Sequence, residues 1–205
     1  MTSQSVNVET RERATSMETT MHEEIIFSGF GGQGALFAGQ LLAYAASDNG
    51  LHVTWIPSYG PEMRGGTAHC TVVVSDEPIG SPLVRRPASA ITLNLPSFEK
   101  YEPLIKPCGL LVYNSSLIDR QPSRTDIRYV AIPANDIAEQ LGNVRQANVV
   151  LLGAYLAAAN ILPLEAVEIA LDNHLPGRQR RFLESNKEAL RHGAACAMET
   201  QVVEG

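Results

Sequence analysis

The chain alternates between short apolar runs and segments whose apolar residues recur every three or four positions. The short runs predict buried strands, and the longer spacing predicts helices. Strands are expected at 24–29, 51–58, 68–75, 90–95, 109–113 and 128–132, and helices at 35–48, 96–106, 133–141, 147–160, 163–173 and 178–197. This alternation predicts an α/β, Rossmann-like layered fold with a mostly parallel or mixed sheet and C-terminal helices packed on one side.

The domain organisation follows from where apolar residues occur. Residues 1–22 are rich in Thr, Ser, Glu and Arg and have almost nothing to bury, so we expect a disordered N-terminal tail. Residues 23–198 are expected to form a single α/β domain, and 199–205 a C-terminal tail. A total of 205 residues suits one domain with a substantial core.

Composition and charge exclude several classes of protein. The chain is 44% hydrophobic and 19% charged, with a formal net charge of −6, so nucleic acid is not an expected partner. Its most apolar run, 149–162, is interrupted by Gly153 and Asn160 and falls short of the ~20 residues that a membrane span needs. The first residues contain no apolar signal segment. These features predict a cytoplasmic protein without a membrane anchor.

The three cysteines, Cys70, Cys108 and Cys196, are far apart and form no C-x-x-C pair. This spacing argues against a disulfide framework and against an iron–sulfur or zinc site built from this chain alone. We therefore expect reduced thiols, no metal site and no cofactor held by the chain alone.

A glycine-rich loop, FSGFGGQG, connects the first strand to the first helix. Its glycines, with Gln33 between them, satisfy the G-x-G-x-x-G spacing of dinucleotide-binding loops, in which a helix N-terminus faces a pyrophosphate. The candidate binding residues are Gly29, Gly31, Gly32, Gln33 and Gly34.

Three interpretations of this loop stay open from the residues. A nicotinamide site needs an acid at the end of the second strand, and that strand ends TWIPSY, with Glu62 well beyond it. The glycines could serve only a sharp turn and close packing. The loop could also contact another anion or a protein, which Gln33 favours because its carboxamide both donates and accepts hydrogen bonds.

A second loop follows the second strand and is expected at the same carboxyl edge of the sheet, where α/β proteins bind ligands. Its recognition-type side chains and glycines predict an interface formed by Tyr59, Gly60, Pro61, Glu62, Arg64, Gly65 and Gly66. No set of side chains resembles a catalytic constellation. His69 and Cys70 are adjacent on a strand and therefore point to opposite faces, which excludes a Cys–His pair.

Three segments together resemble the gamma subunit of 2-oxoacid:ferredoxin oxidoreductases. They are IIFSGFGGQGALFAGQLLAYAA, WIPSYGPEMRGGTAHCTVVVSDEPIGSPLV and LNLPSFEKYEPLIKPCGLLVYNSSLI, and the resemblance extends over about residues 25–195. The combination of GxGGQG with SYGPEMRGGT is highly specific. The NSSLI segment favours the 2-oxoglutarate branch over the pyruvate branch.

The resemblance implies an accessory subunit of an enzyme that converts a 2-oxoacid and coenzyme A to acyl-CoA, carbon dioxide and reduced ferredoxin. The resemblance implies thiamine diphosphate between alpha and beta subunits, and iron–sulfur clusters on the beta subunit and on a small ferredoxin-like delta subunit where one is present. The chain itself is expected to contribute to assembly and to the coenzyme A side of the site. The alternatives are a free-standing dinucleotide-binding protein and a purely structural interaction module.

Overall fold

The computed structural model describes residues 20–58 and 67–203. The strands are β1 (His22–Phe30), β2 (His52–Ser58), β3 (Thr67–Ser75), β4 (Ser89–Thr92), β5 (Leu110–Asn114) and β6 (Arg128–Ile132). The α-helices are α1 (Ala35–Asp48), α2 (Leu95–Tyr101), α3 (Ala134–Gln140), α4 (Ala147–Ala159), α5 (Leu164–His174) and α6 (Leu183–Val203). Short 3₁₀ helices cover Glu102–Leu104, Val144–Gln146 and Gly177–Phe182.

The strands form one mixed sheet in the order β2-β3-β1-β4-β5-β6. β1, β4, β5 and β6 pair in parallel, whereas β3 is antiparallel to both of its neighbours, β1 and β2. The predicted α/β layered fold with a mixed sheet is confirmed. It departs from the doubly wound dinucleotide fold, in which β2 lies directly beside β1, because β3 is inserted between them.

Helices cover the two faces of the sheet unequally. A large core lies between one face and α1, α4, α5 and α6, and a smaller one lies between the other face and α2. Successive residues of a strand point to opposite faces, so Phe27 enters the large core while Ile26 enters the small one. The near-continuous apolar runs of the central strands follow from this double coverage.

Glycines allow α4 and α6 to pack with their backbones in contact. A Cβ atom on Gly153 would lie 2.8 Å from the carbonyl carbon of Leu190, and one on Gly193 would lie 2.7 Å from that of Val150. Each helix therefore presents a glycine to the backbone of the other. This reciprocal contact brings α4 and α6 close together, and α4 itself is almost wholly buried.

The predicted elements are found, with differences at some ends. The bounds of α1 and β6 agree with the sequence prediction, whereas β4 ends at Thr92, three residues early. Both predicted bounds of the helix at 178–197 are wrong. It begins as the 3₁₀ segment Gly177–Phe182, and α6 continues to Val203, so residues 199–203, which were predicted as part of a C-terminal tail, are helical.

The predicted N-terminal tail falls largely on residues 1–19, outside the described residues. No helix within the described ranges is both long and apolar enough to cross a membrane.

Candidate functional site at the carboxyl edge of the sheet

The glycine loop and both flanks of the second loop lie at one edge of the sheet. Phe30, the last residue of β1, pairs with Thr67, the first residue of β3. Ser58, the last residue of β2, pairs with His69, two positions further along β3. The predicted placement of the second loop at the carboxyl edge is therefore confirmed for its ends. Its candidate interface residues, Tyr59, Gly60, Pro61, Glu62, Arg64, Gly65 and Gly66, lie outside the described residues.

The glycine loop is also at the switch point of the sheet. From β1 the chain first forms β2 and β3 on one side and then crosses to β4 on the other side. The crevice between the carboxyl ends of β1 and β4 is the position at which open α/β sheets bind ligands. The loop Gly29–Gly34 and the turn Leu93–Asn94 form the two walls of this crevice.

At three positions of the loop, the structure explains why the residue is glycine. Gly32 and Gly34 have φ angles of 97° and 80°, a left-handed conformation that favours glycine. A Cβ atom on Gly34 would lie 2.9 Å from Cγ of Asn148, and one on Gly29 would lie 3.0 Å from Cβ of Leu93. The loop therefore needs glycine for its turn and for close packing, as one of the three sequence interpretations proposed.

Gln33 connects the loop to the turn that follows β4. Its Oε1 accepts hydrogen bonds from the backbone N–H of Phe30 at 2.6 Å and from Nδ2 of Asn94 at 3.0 Å. Its Nε2 donates to the carbonyl oxygen of Leu93 at 3.4 Å. The carboxamide thus donates and accepts, as expected, but its partners belong to the chain itself. Gln33 shapes the crevice between the loop and Leu93.

The tip of the loop remains accessible. Gly31 and Gly32 are exposed, and Phe30 is 38% exposed beside them. Gly34 is the N-cap of α1, and it makes no side-chain capping hydrogen bond in the described structure. The first turn of α1 carries no acidic residue, so the positive end of the helix dipole is uncompensated by side chains here. This tip can receive an anionic group or a partner backbone.

Buried amides continue along the edge beyond Gln33. Asn114, at the end of β5, donates from Nδ2 to Oδ1 of Asn135 at 2.8 Å and, at 3.5 Å, to the same Leu93 carbonyl that Gln33 contacts. Asn148 donates from Nδ2 to the carbonyl of Gly34 at 2.9 Å. Within the described residues, Oδ1 of Asn114 and Oδ1 of Asn148 are buried without a hydrogen-bond partner. Sequence reasoning missed these amides.

The described end of β2 does not resemble a nicotinamide site. Pro57 and Ser58 occupy the position where such a site has a carboxylate, and β3 separates this position from the glycine loop. Glu62 and Arg64, the nearest ionisable candidates in the sequence, lie outside the described residues.

His69 and Cys70 point to opposite faces of the sheet, as predicted. The His69 ring lies 5.9 Å from the ring of Tyr101, between ring centres, and burial, with a contribution from Lys100, lowers its pKa. Cys70 faces α1, and burial raises the pKa of its thiol to about 12. A thiol with this pKa is not a nucleophile at neutral pH. No group of three or more metal-ligating side chains occurs in the part of the chain that the structure describes.

Comparison with known proteins identifies the family. The family model for pyruvate ferredoxin/flavodoxin oxidoreductase matches residues 24–196. The ketoisovalerate oxidoreductase subunit VorA of Methanothermobacter thermautotrophicus is 38% identical over 173 residues, which are 84% of this chain and 36% of that protein. The 2-oxoglutarate synthase subunit KorC of Methanocaldococcus jannaschii is 39% identical over 161 residues, 76% of this chain and 85% of that one. The chain thus spans about a third of the VorA relative and most of the KorC relative.

Solved structures agree in fold. The gamma subunit of a keto/oxoacid ferredoxin oxidoreductase from Geobacter sulfurreducens has a TM-score of 0.75 and 32% identity, covering 86% of this chain and 99% of that one. The 2-oxoglutarate:ferredoxin oxidoreductase of Magnetococcus marinus, solved with 2-oxoglutarate, coenzyme A and succinyl-CoA bound, has a TM-score of 0.78 and 26% identity, covering 87% of this chain and 31% of that one. The chain therefore belongs to the pyruvate ferredoxin/flavodoxin oxidoreductase family, as a chain of the gamma-subunit type.

Proposed function

We propose that the chain is the gamma subunit of an enzyme that oxidatively decarboxylates a 2-oxoacid with coenzyme A, giving acyl-CoA, carbon dioxide and reduced ferredoxin. It assembles in the cytoplasm with alpha and beta subunits, and with a ferredoxin-like delta subunit where the complex has one. The partner subunits hold thiamine diphosphate and the iron–sulfur clusters. The chain contributes to assembly and to the coenzyme A side of the shared site.

The exposed loop tip beside the uncapped N-terminus of α1 carries this proposal. Backbone N–H groups and the helix dipole at Gly31 and Gly32 favour a phosphate-bearing ligand, and coenzyme A has three phosphate groups. Gly29, Gln33 and Gly34 give the loop its shape through the contacts described above. The second loop, which begins and ends at the same edge, provides the contact with the partner subunits.

Among 2-oxoacids, 2-oxoglutarate is favoured and pyruvate comes next. The substrates for which three relatives are named bear on this choice. KorC of Methanocaldococcus jannaschii, at 39% identity, is named for 2-oxoglutarate synthase. PorC of Thermotoga maritima, at 29% identity, is named for pyruvate synthase. The VorA relative, at 38% identity, is named for ketoisovalerate and makes a branched 2-oxoacid the third candidate.

A matched pair of substitutions at Phe30 tests the coenzyme A role in the assembled enzyme. Phe30→Glu places a negative charge beside the loop tip, and Phe30→Gln has nearly the same shape without the charge. Repulsion of the coenzyme A phosphates should raise KM for coenzyme A in the Glu variant about three- to tenfold over the Gln variant at low ionic strength. KM for the 2-oxoacid should be equal in the two variants.

The same variants separate the alternatives. If KM for coenzyme A is equal in both while the yield of co-purified subunits falls, the chain is a structural interaction module. If the tagged chain is recovered without alpha and beta partners and binds NADH at micromolar concentration in calorimetry, it is a free-standing dinucleotide-binding protein.

A further inference from the structure

A small pocket of about 130 Å³ lies at the amino edge of the sheet, at the opposite ends of the strands from the glycine loop. It is bounded by the first residues of parallel strands and by Ala159, the last residue of α4. An engineered cavity of about 150 Å³ in another protein holds a benzene molecule, so this pocket has room for a ligand of about six non-hydrogen atoms. Nothing in the proposed function uses this edge.

The alternation of side chains along the strands brings two opposite charges to this pocket. Glu23 lies two residues before Ile25, and Arg128 lies two residues before Val130. Ile25 and Val130 belong to the large core, and residues two apart in a strand point to the same face. Glu23 and Arg128 therefore lie on the face that α4 covers. Strands β4 and β5 separate them, which sets the backbones about 14 Å apart across the sheet.

The carboxylate of Glu23 is held in place but is not paired with a cation. Its Oε1 accepts hydrogen bonds from Oγ of Ser89 and from the hydroxyl of Tyr155, the latter at 3.3 Å. Tyr155 is fully buried in α4, so this oxygen is fixed beneath the helix. Among the described residues, none donates a hydrogen bond to Oε2. This second oxygen is available to a ligand.

Arg128 supplies the opposite charge. Its Nη2 donates to the carbonyl oxygen of Ala158 at 3.3 Å, close to the end of α4. Within the described residues Arg128 forms no ion pair, not even with Glu23 in the same pocket. The remaining N–H groups of the planar guanidinium are of the type that binds a carboxylate through two hydrogen bonds.

We propose that this pocket binds a small α-amino acid as a zwitterion. The ammonium group of the ligand contacts the carboxylate of Glu23, and the carboxylate of the ligand contacts the guanidinium of Arg128. A ligand with only one charge would leave the other protein charge without a partner. The apolar part of the lining, at Ala88, Leu110 and Ala159, suits a methyl side chain, so alanine fits both the size and the lining.

The two edges of the sheet are separate sites. The glycine loop follows the carboxyl end of β1, whereas Glu23 is the second residue of the same strand. Binding of an amino acid at the amino edge is therefore independent of the role proposed for the carboxyl edge, and either can fail alone.

Titration of the full-length chain with L-alanine, propionate and ethylamine, followed by calorimetry, tests the proposal. Propionate lacks the ammonium group of alanine, and ethylamine lacks the carboxylate. We expect L-alanine to bind with a Kd of about 0.1–1 mM, as suits so small a ligand. Propionate and ethylamine should each bind at least about tenfold more weakly.

Two substitutions assign the two charges. Glu23→Gln removes the negative charge but keeps an oxygen that can accept from Ser89 and Tyr155, and it should abolish the preference for L-alanine over propionate. Arg128→Met removes the guanidinium at an exposed position, and it should abolish the preference for L-alanine over ethylamine. Each substitution should weaken L-alanine binding about tenfold.

Glu24→Gln and Arg85→Met are the matched controls. Glu24 is the next residue along β1 and points to the other face, where it pairs with Lys106. Arg85 is exposed and lies outside the pocket. Both controls should leave the affinity for L-alanine unchanged. Thermal unfolding of each variant verifies that it is folded.

Any of three results would overturn the proposal. The first is the absence of L-alanine binding at about 10 mM, tenfold above the expected range. The second is equal affinity of the wild-type chain for L-alanine and for propionate or ethylamine, because one of the two charges then has no role. The third is L-alanine binding that either Glu23→Gln or Arg128→Met leaves unchanged, because the ligand then occupies another site.

Discussion

Substitution of Gly34 by alanine should destabilise the fold through a contact that joins distant parts of the chain. Gly34 is the N-cap of α1 with a φ of 80°, and its carbonyl accepts a hydrogen bond from Nδ2 of Asn148. A Cβ atom at this position would overlap the carboxamide of Asn148, whose Cγ would be 2.9 Å away. Gly34→Ala therefore adds backbone strain and also displaces Asn148.

The two effects have different sizes. The left-handed conformation costs an alanine about 1 kcal/mol relative to glycine. Displacing Asn148 loses a buried hydrogen bond, about 1 kcal/mol, and overpacks the site by about 1 kcal/mol or more. We therefore expect Gly34→Ala to lower the free energy of unfolding by about 3–4 kcal/mol.

Gly142→Ala is the matched control. Gly142 has a φ of 84°, but a Cβ atom there would meet nothing within 4 Å. It should lose only the strain, about 1 kcal/mol. Urea unfolding of the full-length chain, followed by circular dichroism, measures both losses. In a chain of this size, Tm should fall by about 6–15 °C for Gly34→Ala and by about 2–4 °C for Gly142→Ala.

Equal losses in the two variants would refute the reasoning, because the contact with Asn148 would then contribute nothing. A double-mutant cycle sharpens the test. Asn148→Ala removes the side chain that the new methyl group meets, so the overpacking disappears in the double variant. The double variant should then be more stable than the sum of the two single losses predicts.

Three further predictions concern other parts of the molecule. Gly153→Ala should destabilise the chain by about 3 kcal/mol or more in urea unfolding, because the methyl group overlaps the backbone of Leu190. Gln33→Leu should cost about 2–3 kcal/mol because it leaves the N–H groups of Phe30 and Asn94 without their acceptor. Tyr129→Phe should cost about 1–2 kcal/mol at neutral pH, because the Tyr129 hydroxyl donates to the buried carboxylate of Glu102 at 2.5 Å. Burial raises the pKa of Glu102, but hydrogen bonds from Tyr129 and Ser123 more than offset this and lower it overall. The ionised carboxylate thus stabilises the fold above the unfolded-state pKa, and this contribution is lost as pH falls through the folded-state pKa. Unfolding free energies measured against pH should show the wild-type advantage over Tyr129→Phe shrinking in acid.

The element boundaries that the sequence predicted well have local causes. Helix α1 begins after Gly34, which is left-handed, and ends before Asn49 and Gly50, of which Gly50 has a φ of 78°. Both signals lie within the residues that adopt the structure, so a single sequence contains them. The same holds for β6, whose apolar run is bounded by polar segments.

The direction of β3 relative to β2 could have been predicted from the sequence, which was assigned here only a mostly parallel or mixed sheet. Only the residues 59–66 separate β2 from β3. A parallel neighbour needs a crossover of about a dozen residues or more, so a connection of this length favours an antiparallel pair. The length of the connection does not tell on which side of β2 the strand β3 lies, so its insertion between β1 and β2 follows only from the structure.

The amides of the site could not be predicted, because their partners are remote in sequence. Asn148 is 114 residues from Gly34, and Asn94 is 61 residues from Gln33. Nothing in the local pattern of α4 distinguishes Asn148 from a polar residue at an exposed position. Its importance follows only from the packing of α4 against the N-terminus of α1.

The edge position of β2 has a consequence for how separate copies of the chain behave in solution. Pro57 pairs with Cys70 in the β2–β3 ladder, and a proline has no N–H to donate. In a regular ladder its nitrogen must face the open side, where it interrupts strand addition by a second copy of the chain. We therefore expect Pro57 to oppose edge-to-edge aggregation of the isolated chain, and Pro57→Val should increase its light scattering over time.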